Sequence, residues 1–223
     1  MEYAFILNRR PYHEHSFLVD LLTEHSGRIT CIAHVAKKKG KIMRGTVEPF
    51  RQLMVDWFGR GDVHTLTLVE EQRRYYIPTQ YLSLGLYFSE LILKLLPKEA
   101  PDQAVYQSYK NSLYALTQQQ SPLAIEIAFL ASFGINFITP ITHKDNLPID
   151  SLRMYQYSEE TGVELLEQSG QGIPISGELL INLYHGVELN GSQQRQCRQF
   201  LDRMIDQQLA GRLLKTRKFA FEY

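Results

Sequence analysis

The sequence predicts an α+β, multidomain chain: a small N-terminal β-barrel, then a mainly α-helical C-terminal domain carrying a small β-hairpin insertion. Three observations predict it. Short apolar runs separated by glycine turns fill residues 1–78, the apolar period changes from two to about 3.6 at Thr79, and charge divides unevenly between the halves. The 223 residues, 44% hydrophobic and 22% charged, suffice to bury a core and rule out disorder and collagen-like repeats. Domains are therefore expected at 1–78 and 79–223, with the hairpin near 154–166.

The first strand is expected over residues 3–10, and the next two over 16–23 and 28–36. Glu24-His25-Ser26-Gly27 joins the second to the third, and its glycine suits a hairpin. Residues 47–58 and 63–69 form another pair around Gly59-Arg60-Gly61-Asp62. Five short strands in so few residues suggest a small closed barrel, and the OB-fold is the common five-stranded kind that recruits nucleic acid.

Beyond Thr79, Leu84, Phe88, Leu91 and Leu95 form one helical stripe that Pro97 ends. Tyr106, Tyr109, Leu113 and Leu116 repeat the spacing, and Ser121-Pro122 opens a third helix that Gly134 closes. Residues 154–157 and 163–166 read as a hairpin about Ser158-Glu159-Glu160-Thr161-Gly162. Ser176 can cap a short helix to His185, and Ser192 a long one burying Cys197, Phe200, Leu201, Met204, Ile205 and Leu209 before Gly211.

No run approaches the roughly 18 uncharged apolar residues that a spanning helix needs, and the apolar start meets Arg9 and Arg10 with no cleavage site. A cytoplasmic protein is expected. Cys31 and Cys197 are too few for a disulfide framework or a four-thiolate zinc site and fit a reducing compartment. Asn190-Gly191-Ser192 matches a glycosylation sequon, which an unsecreted chain does not use.

Twenty-four Lys and Arg balance twenty-four Asp and Glu, yet residues 1–80 hold twelve against nine, or +3, and residues 81–223 twelve against fifteen, or −3. Lys37, Lys38, Lys39, Lys41 and Arg44 lie in one acid-free stretch, expected to project from the barrel as a loop. Such a loop can neutralise phosphates and release condensed counterions, giving strong, sequence-blind and salt-sensitive binding. The competing reading is a solvated loop that only maintains solubility. Arg9, Arg10, Arg28, Arg51, Arg60, Arg73 and Arg74 favour the first, because arginine suits bidentate phosphate contacts and several could line one strand face. Alternation places Trp57 with Leu53 and Val55, hence in the core, and Phe58 with Gln52 and Asp56. Phe58 is thus the better base-stacking candidate, with Tyr12 a second. Lys215, Arg217 and Lys218 form another positive cluster, which the dipole of the final helix explains equally well.

Catalysis finds little support. There is no Gly-rich loop ending in Gly-Lys-Ser/Thr, no Gly-x-Ser-x-Gly and no His-Glu-x-x-His, and Asp56 with Asp62 is too thin a pair for a metal-dependent nuclease. His13-Glu14-His15 and His143 with Asp145 read as surface histidines rather than metal ligands. No enzyme activity, cofactor or metal is expected.

The run Arg10-Pro11-Tyr12-His13-Glu14-His15-Ser16, then Asp20-Leu21-Leu22-Thr23-Glu24-His25-Ser26-Gly27-Arg28, and Glu48-Pro49-Phe50 with Gly59-Arg60-Gly61 closely resemble the RecO family of bacterial recombination mediators. Leu213-Leu214-Lys215-Thr216-Arg217 is similar to that family's Leu-Lys-Ser-Arg ending. The resemblance spans nearly the whole chain. It implies an OB-fold followed by a helical domain, binding of single- and double-stranded DNA and ATP-independent annealing of complementary strands. It also implies partnership with RecR and with single-stranded DNA-binding protein, so that RecA loads onto coated DNA, and a nucleoid-associated cytoplasmic location. Many relatives carry a four-cysteine zinc module in the helical domain, whereas no cysteine lies between Gly134 and Gly172 here, so no zinc is expected. Some relatives carry arginines, linked to docking the tail of single-stranded DNA-binding protein, just before the helix matching Ile125-Glu126-Ile127. Leu123 and Ala124 stand there instead. An interaction adaptor that touches DNA only through partners is the alternative function.

Overall fold

The computed structural model describes residues 1–35, 45–167 and 172–221. Contacts group the chain into two compact units, Met1–Ser132 with Leu213–Tyr223, and Phe133–Arg212. Strands give way to helices at 78/79 as expected from the period, but that change lies inside the first unit.

Strands β1 (Glu2–His13), β2 (Ser16–Thr23), β3 (Gly27–His34), β4 (Arg51–Phe58) and β5 (His64–Arg74) close a barrel in the order β1-β2-β3-β5-β4. Only β3 and β5 run parallel, which gives the OB-like topology. Ala4, Ile6, Val19, Leu21, Ile29, Cys31, Leu53 and Val55 fill the interior at alternate positions, and Trp57 packs against them half-buried. Burial, with the Asp20 charge adding to it, pushes the Cys31 thiol up to about 12, so it packs as a small apolar group. Gly27 turns β2 into β3 at φ +73°, and a Cβ there would lie 2.5 Å from the Ala100 carbonyl carbon.

Over residues 3–7 strand β1 is apolar on both faces because helices cover its outside there. A 3-10 turn (Thr79–Tyr81) leads into α1 (Leu82–Leu95), followed by α2 (Gln103–Thr117) and α3 (Pro122–Ala131). Asp102 caps α2 by accepting from the Val105 N–H at 2.9 Å. Phe5 meets the rings of Tyr106 at 5.5 Å and Tyr109 at 5.2 Å. Two buried hydroxyl groups of α1 are bonded: Tyr87 Oη donates to Glu126 Oε1 at 2.7 Å, and Ser89 Oγ pairs with Tyr109 Oη at 2.8 Å.

Residues 213–221 return to this unit. The Glu90 carboxylate on α1 accepts from the Lys215 N–H (3.0 Å), the Thr216 N–H (2.9 Å) and the Thr216 hydroxyl (2.7 Å), just ahead of α6 (Arg217–Ala220). Burial raises the Glu90 pKa, but these hydrogen bonds outweigh it and leave it lowered. A lowered carboxylate stabilises the anchored tail fully above about pH 4.3, where a free glutamate titrates, and that stabilisation is lost as pH falls through the folded value. Amide protection over 213–221, taken relative to the intrinsic exchange rate at each pH, is accordingly expected to fall on acidification, and Glu90→Gln to lower it at neutral pH. Equal exchange in the two proteins at pH 7 would contradict the anchor.

In the second unit, β6 (Met154–Ser158), β7 (Gly162–Leu165) and β8 (Ile173–Ser176) form an antiparallel sheet ordered β7-β6-β8. The expected hairpin is therefore two strands of three. Strand β8 escapes sequence reading because it is short and carries Pro174, which an edge position tolerates. Ser176 caps α4 (Gly177–Tyr184) as expected. The last helix, α5 (Gly191–Leu209), is capped not by Ser192 but by Asn190, whose side chain accepts from the N–H groups of Ser192 and Gln193 while Gln193 bonds back in a capping box. Phe137, Tyr157 and Phe200 pack together in this unit, with Phe137 and Phe200 at 4.8 Å. The residues of the unit do not fit a four-thiolate site: Cys197 is buried in α5 and Cys31 in the barrel. His143 accepts from the Val163 N–H at 2.9 Å and supports the β6–β7 turn.

Candidate nucleic-acid interface

The ladder register places one lateral row of residues across the outside of the barrel. Arg10 pairs with Leu18, Leu18 with Ile32, Ile32 with Thr65 and Thr65 with Phe58. Their neighbours Phe17, Val19, Cys31, Ala33 and Leu66 point inward and are buried, so this row points outward. Arg10 and Phe58 are exposed, Phe58 at 62%, and Leu18, Ile32 and Thr65 are half-buried. Across four strand spacings of about 4.8 Å the row follows an arc of roughly 19 Å around the closed barrel, with a cation at one end and an aromatic ring at the other. Sequence reading missed Leu18 and Ile32 as its floor, although the alternation of β2 and β3 carried the signal.

Above this row, Ser16 Oγ bonds His34 Nδ1 at 2.8 Å, and the β1–β2 tip exposes Tyr12, His13 and His15. Below it, Asp20 accepts from Asn8 at 3.2 Å and from Thr30 at 2.8 Å, which occupies an otherwise repulsive carboxylate.

The basic residues Lys37, Lys38, Lys39, Lys41 and Arg44 lie outside the described residues, but both flanks of their stretch are tied to the barrel lip. The Val35 N–H donates to the His15 carbonyl at 2.9 Å. On the far side, Arg9 Nη1 donates to the Val47 carbonyl at 2.9 Å and to Glu48 Oε1 at 2.6 Å, with its guanidinium 4.7 Å over Phe17. The described flanks are thus held at the β1–β2 turn by His15 and on β1 by Arg9, next to Arg10.

The arginines do not share one strand face. Arg9 closes the barrel mouth. Arg28 lies on the helix-covered row beside Leu22, donates from Nε to the Leu96 carbonyl at 3.0 Å, and has its pKa lowered by burial against the opposing field of Asp20. Arg51 is engaged by Glu71, which Arg74 also holds at 2.9 Å. The hydrogen bond from Arg74, followed by the field and hydrogen bond of Arg51, lowers the Glu71 pKa despite some desolvation. Arg60 is exposed in the β4–β5 turn. Lys215 and Lys218 are exposed, the latter with its ammonium 4.6 Å over Phe219, while Arg217 is half-buried in α6, which packs on α1.

By sequence, the first unit holds eighteen Lys and Arg against fourteen Asp and Glu, or +4, and the second six against ten, or −4. Phosphate attraction therefore concentrates on the barrel unit. Among the described residues no group of three or more His, Cys, Asp or Glu could hold a metal, and no helix is long and apolar enough to cross a membrane.

Family models described as "Recombination protein O N terminal" and "Recombination protein O C terminal" match residues 1–73 and 80–137. The DNA repair protein RecO of Halorhodospira halophila is 31% identical over 223 residues, covering 96% of this chain and 94% of its own length. That of Aromatoleum aromaticum is 28% identical over 220 residues, covering 96% and 92%. That of Actinobacillus succinogenes is 35% identical over 169 residues, covering 71% and 69%.

Proposed function

Because the chain belongs to the RecO family of DNA repair proteins, we propose that it is a non-enzymatic recombination mediator that binds single- and double-stranded DNA and anneals complementary strands. With RecR it would help RecA load onto DNA coated by single-stranded DNA-binding protein, in the cytoplasm at the nucleoid. The observation that carries this reading is the open outward row from Arg10 to Phe58, beside the anchored flanks of the basic stretch, on a barrel whose outward positions at Phe5 and Arg28 are covered by helices.

The mechanism is electrostatic. Two complementary strands repel each other, and a surface that neutralises phosphates on both lowers the barrier to their encounter, after which pairing needs no chemistry from the protein. Exposed Phe58 and Tyr12 add base stacking, about 1–3 kcal/mol per base, without reading sequence. Arg9, Arg28 and Arg51 are engaged within the protein, so phosphate contacts are assigned to Arg10, Arg60, Lys215, Lys218 and the 37–44 stretch. With about five phosphates neutralised, the logarithm of single-strand affinity should fall against the logarithm of salt with a slope near −3.5, at roughly −0.7 per contact. Titration of a labelled oligonucleotide from 50 to 300 mM salt measures it. A flat plot would favour an adaptor that reaches DNA through partners.

A further inference from the structure

An annealing protein has to hold two strands, and the outward row offers one track. We propose that Arg73, Arg74, Tyr76 and Tyr114 form a second, separate single-stranded nucleic-acid site on the helix side of the barrel. This rests on the annealing reading above.

Arg73 pairs across the ladder with Gln52, and Gln52 with Phe5, a row roofed by α2: Gln52 Nε2 donates to Tyr106 Oη at 3.2 Å. Arg73 emerges at the edge of that roof, exposed, with its guanidinium 5.0 Å from the ring centroid of Tyr75 and 5.4 Å from that of Tyr114. One residue on, the Arg74 guanidinium lies 5.9 Å from the Tyr76 ring. Tyr76 is 76% exposed and Tyr114 47% exposed, unusual for rings of this size. The backbone beneath them is fixed, because the Tyr75 N–H donates to the Phe50 carbonyl at 2.9 Å and the Ile77 N–H to the Tyr75 carbonyl at 3.1 Å. Lys110 lies one turn before Tyr114 on α2.

The charge is right for phosphate. Glu71 is shared by Arg51 and Arg74, and Glu70, the other carboxylate at this end of β5, lies across from Met54. Glu71 takes Nε and Nη2 of Arg74 at 3.0 and 2.9 Å, and counted together Arg51, Arg73, Arg74 and Lys110 still outnumber these two acids. A cation beside an open ring occurs twice in close succession, which matches the base-and-phosphate repeat of a single strand better than it matches an acidic peptide. Along β5, the eight residues from Thr65, opposite Phe58, to Arg73 span roughly 25 Å, so this patch is not an extension of the first track.

The full-length chain carrying Arg74→Ala and Tyr76→Ala is compared with wild type, with Tyr76→Phe, and with Arg10→Ala plus Phe58→Ala. Hexathymidylate is titrated to saturation at low salt, and annealing of two complementary 30-nucleotide strands is followed by fluorescence. The expected result is two hexamers per wild-type chain and one per Arg74/Tyr76 variant, annealing at least tenfold slower in that variant, and near-wild-type behaviour for Tyr76→Phe, all with unchanged melting temperatures. Unchanged stoichiometry and annealing rate in the Arg74/Tyr76 variant would overturn the second site. So would loss of binding to a polyglutamate peptide with oligonucleotide binding intact. If the wild-type chain bound no oligonucleotide, the annealing reading itself would fall.

Discussion

Replacing Lys37, Lys38, Lys39, Lys41 and Arg44 together with alanine is expected to lower single-strand affinity by up to about three-thousandfold at 0.1 M salt. The magnitude follows from counterion release. At roughly −0.7 in the log–log slope, each phosphate contact contributes about fivefold between 1 M and 0.1 M salt, and five such contacts multiply to about 3 × 10³. The slope itself should flatten by up to about 3.5. Both numbers come from one titration series, and they must move together. A loss of affinity with an unchanged slope would mean the substitutions had disturbed the barrel instead of removing phosphate contacts. Such damage is not expected, because the flanks are held by groups outside the substituted set, the His15 carbonyl on Val35 and Arg9 on Val47 and Glu48. Annealing of complementary strands should slow in parallel, since strand repulsion is then left unscreened.

The barrel was legible in the sequence because an alternating strand reports its buried face directly. Trp57 inside and Phe58 outside followed from their spacing to Leu53 and Val55. Phe5 was not legible in this way. It sits on the outside of a strand whose inside is already apolar, and only the arrival of α2 explains why the run 3–7 does not alternate. Helical period likewise marks one apolar face on α1, α2 and α3 without saying what that face meets, so their membership of the barrel unit could not be read. Residues 213–221 rejoin that unit through the Glu90 carboxylate and the Tyr87 ring, both more than a hundred residues earlier in the chain. Arginine pairing was hidden for the same reason: Glu48 lies 39 residues from Arg9, and Glu71 lies 20 from Arg51. Composition could count these cations but could not tell an engaged guanidinium from an open one. The row from Arg10 to Phe58 needed five strands in register before it existed at all.

Phe5→Ala is expected to be the most destabilising single change in the barrel unit, costing about 3–5 kcal/mol. Phe5 is fully buried and touches Tyr75, Tyr106 and Tyr109, with ring centroids 6.0, 5.5 and 5.2 Å away. Removing it opens a cavity whose walls cannot collapse freely, because Tyr106 is tied to Gln52 and Tyr109 to Ser89 through their hydroxyls. Burial raises the pKa of both tyrosines, so neither can relieve the site by ionising near neutrality. For a unit of this size, each kcal/mol lowers the melting temperature by roughly 2–4 °C, so a drop on the order of 10 °C is expected in calorimetry. Phe58→Ala is the matched control: its ring is 62% exposed, and its loss should change stability by less than about 0.5 kcal/mol while weakening single-strand binding. The two phenylalanines lie on outward-facing positions of adjacent strands, one roofed by a helix and one open. Equal melting temperatures for the two variants would show that α2 does not close the barrel against Phe5. The division between helix-covered and open outward positions would then be lost with it.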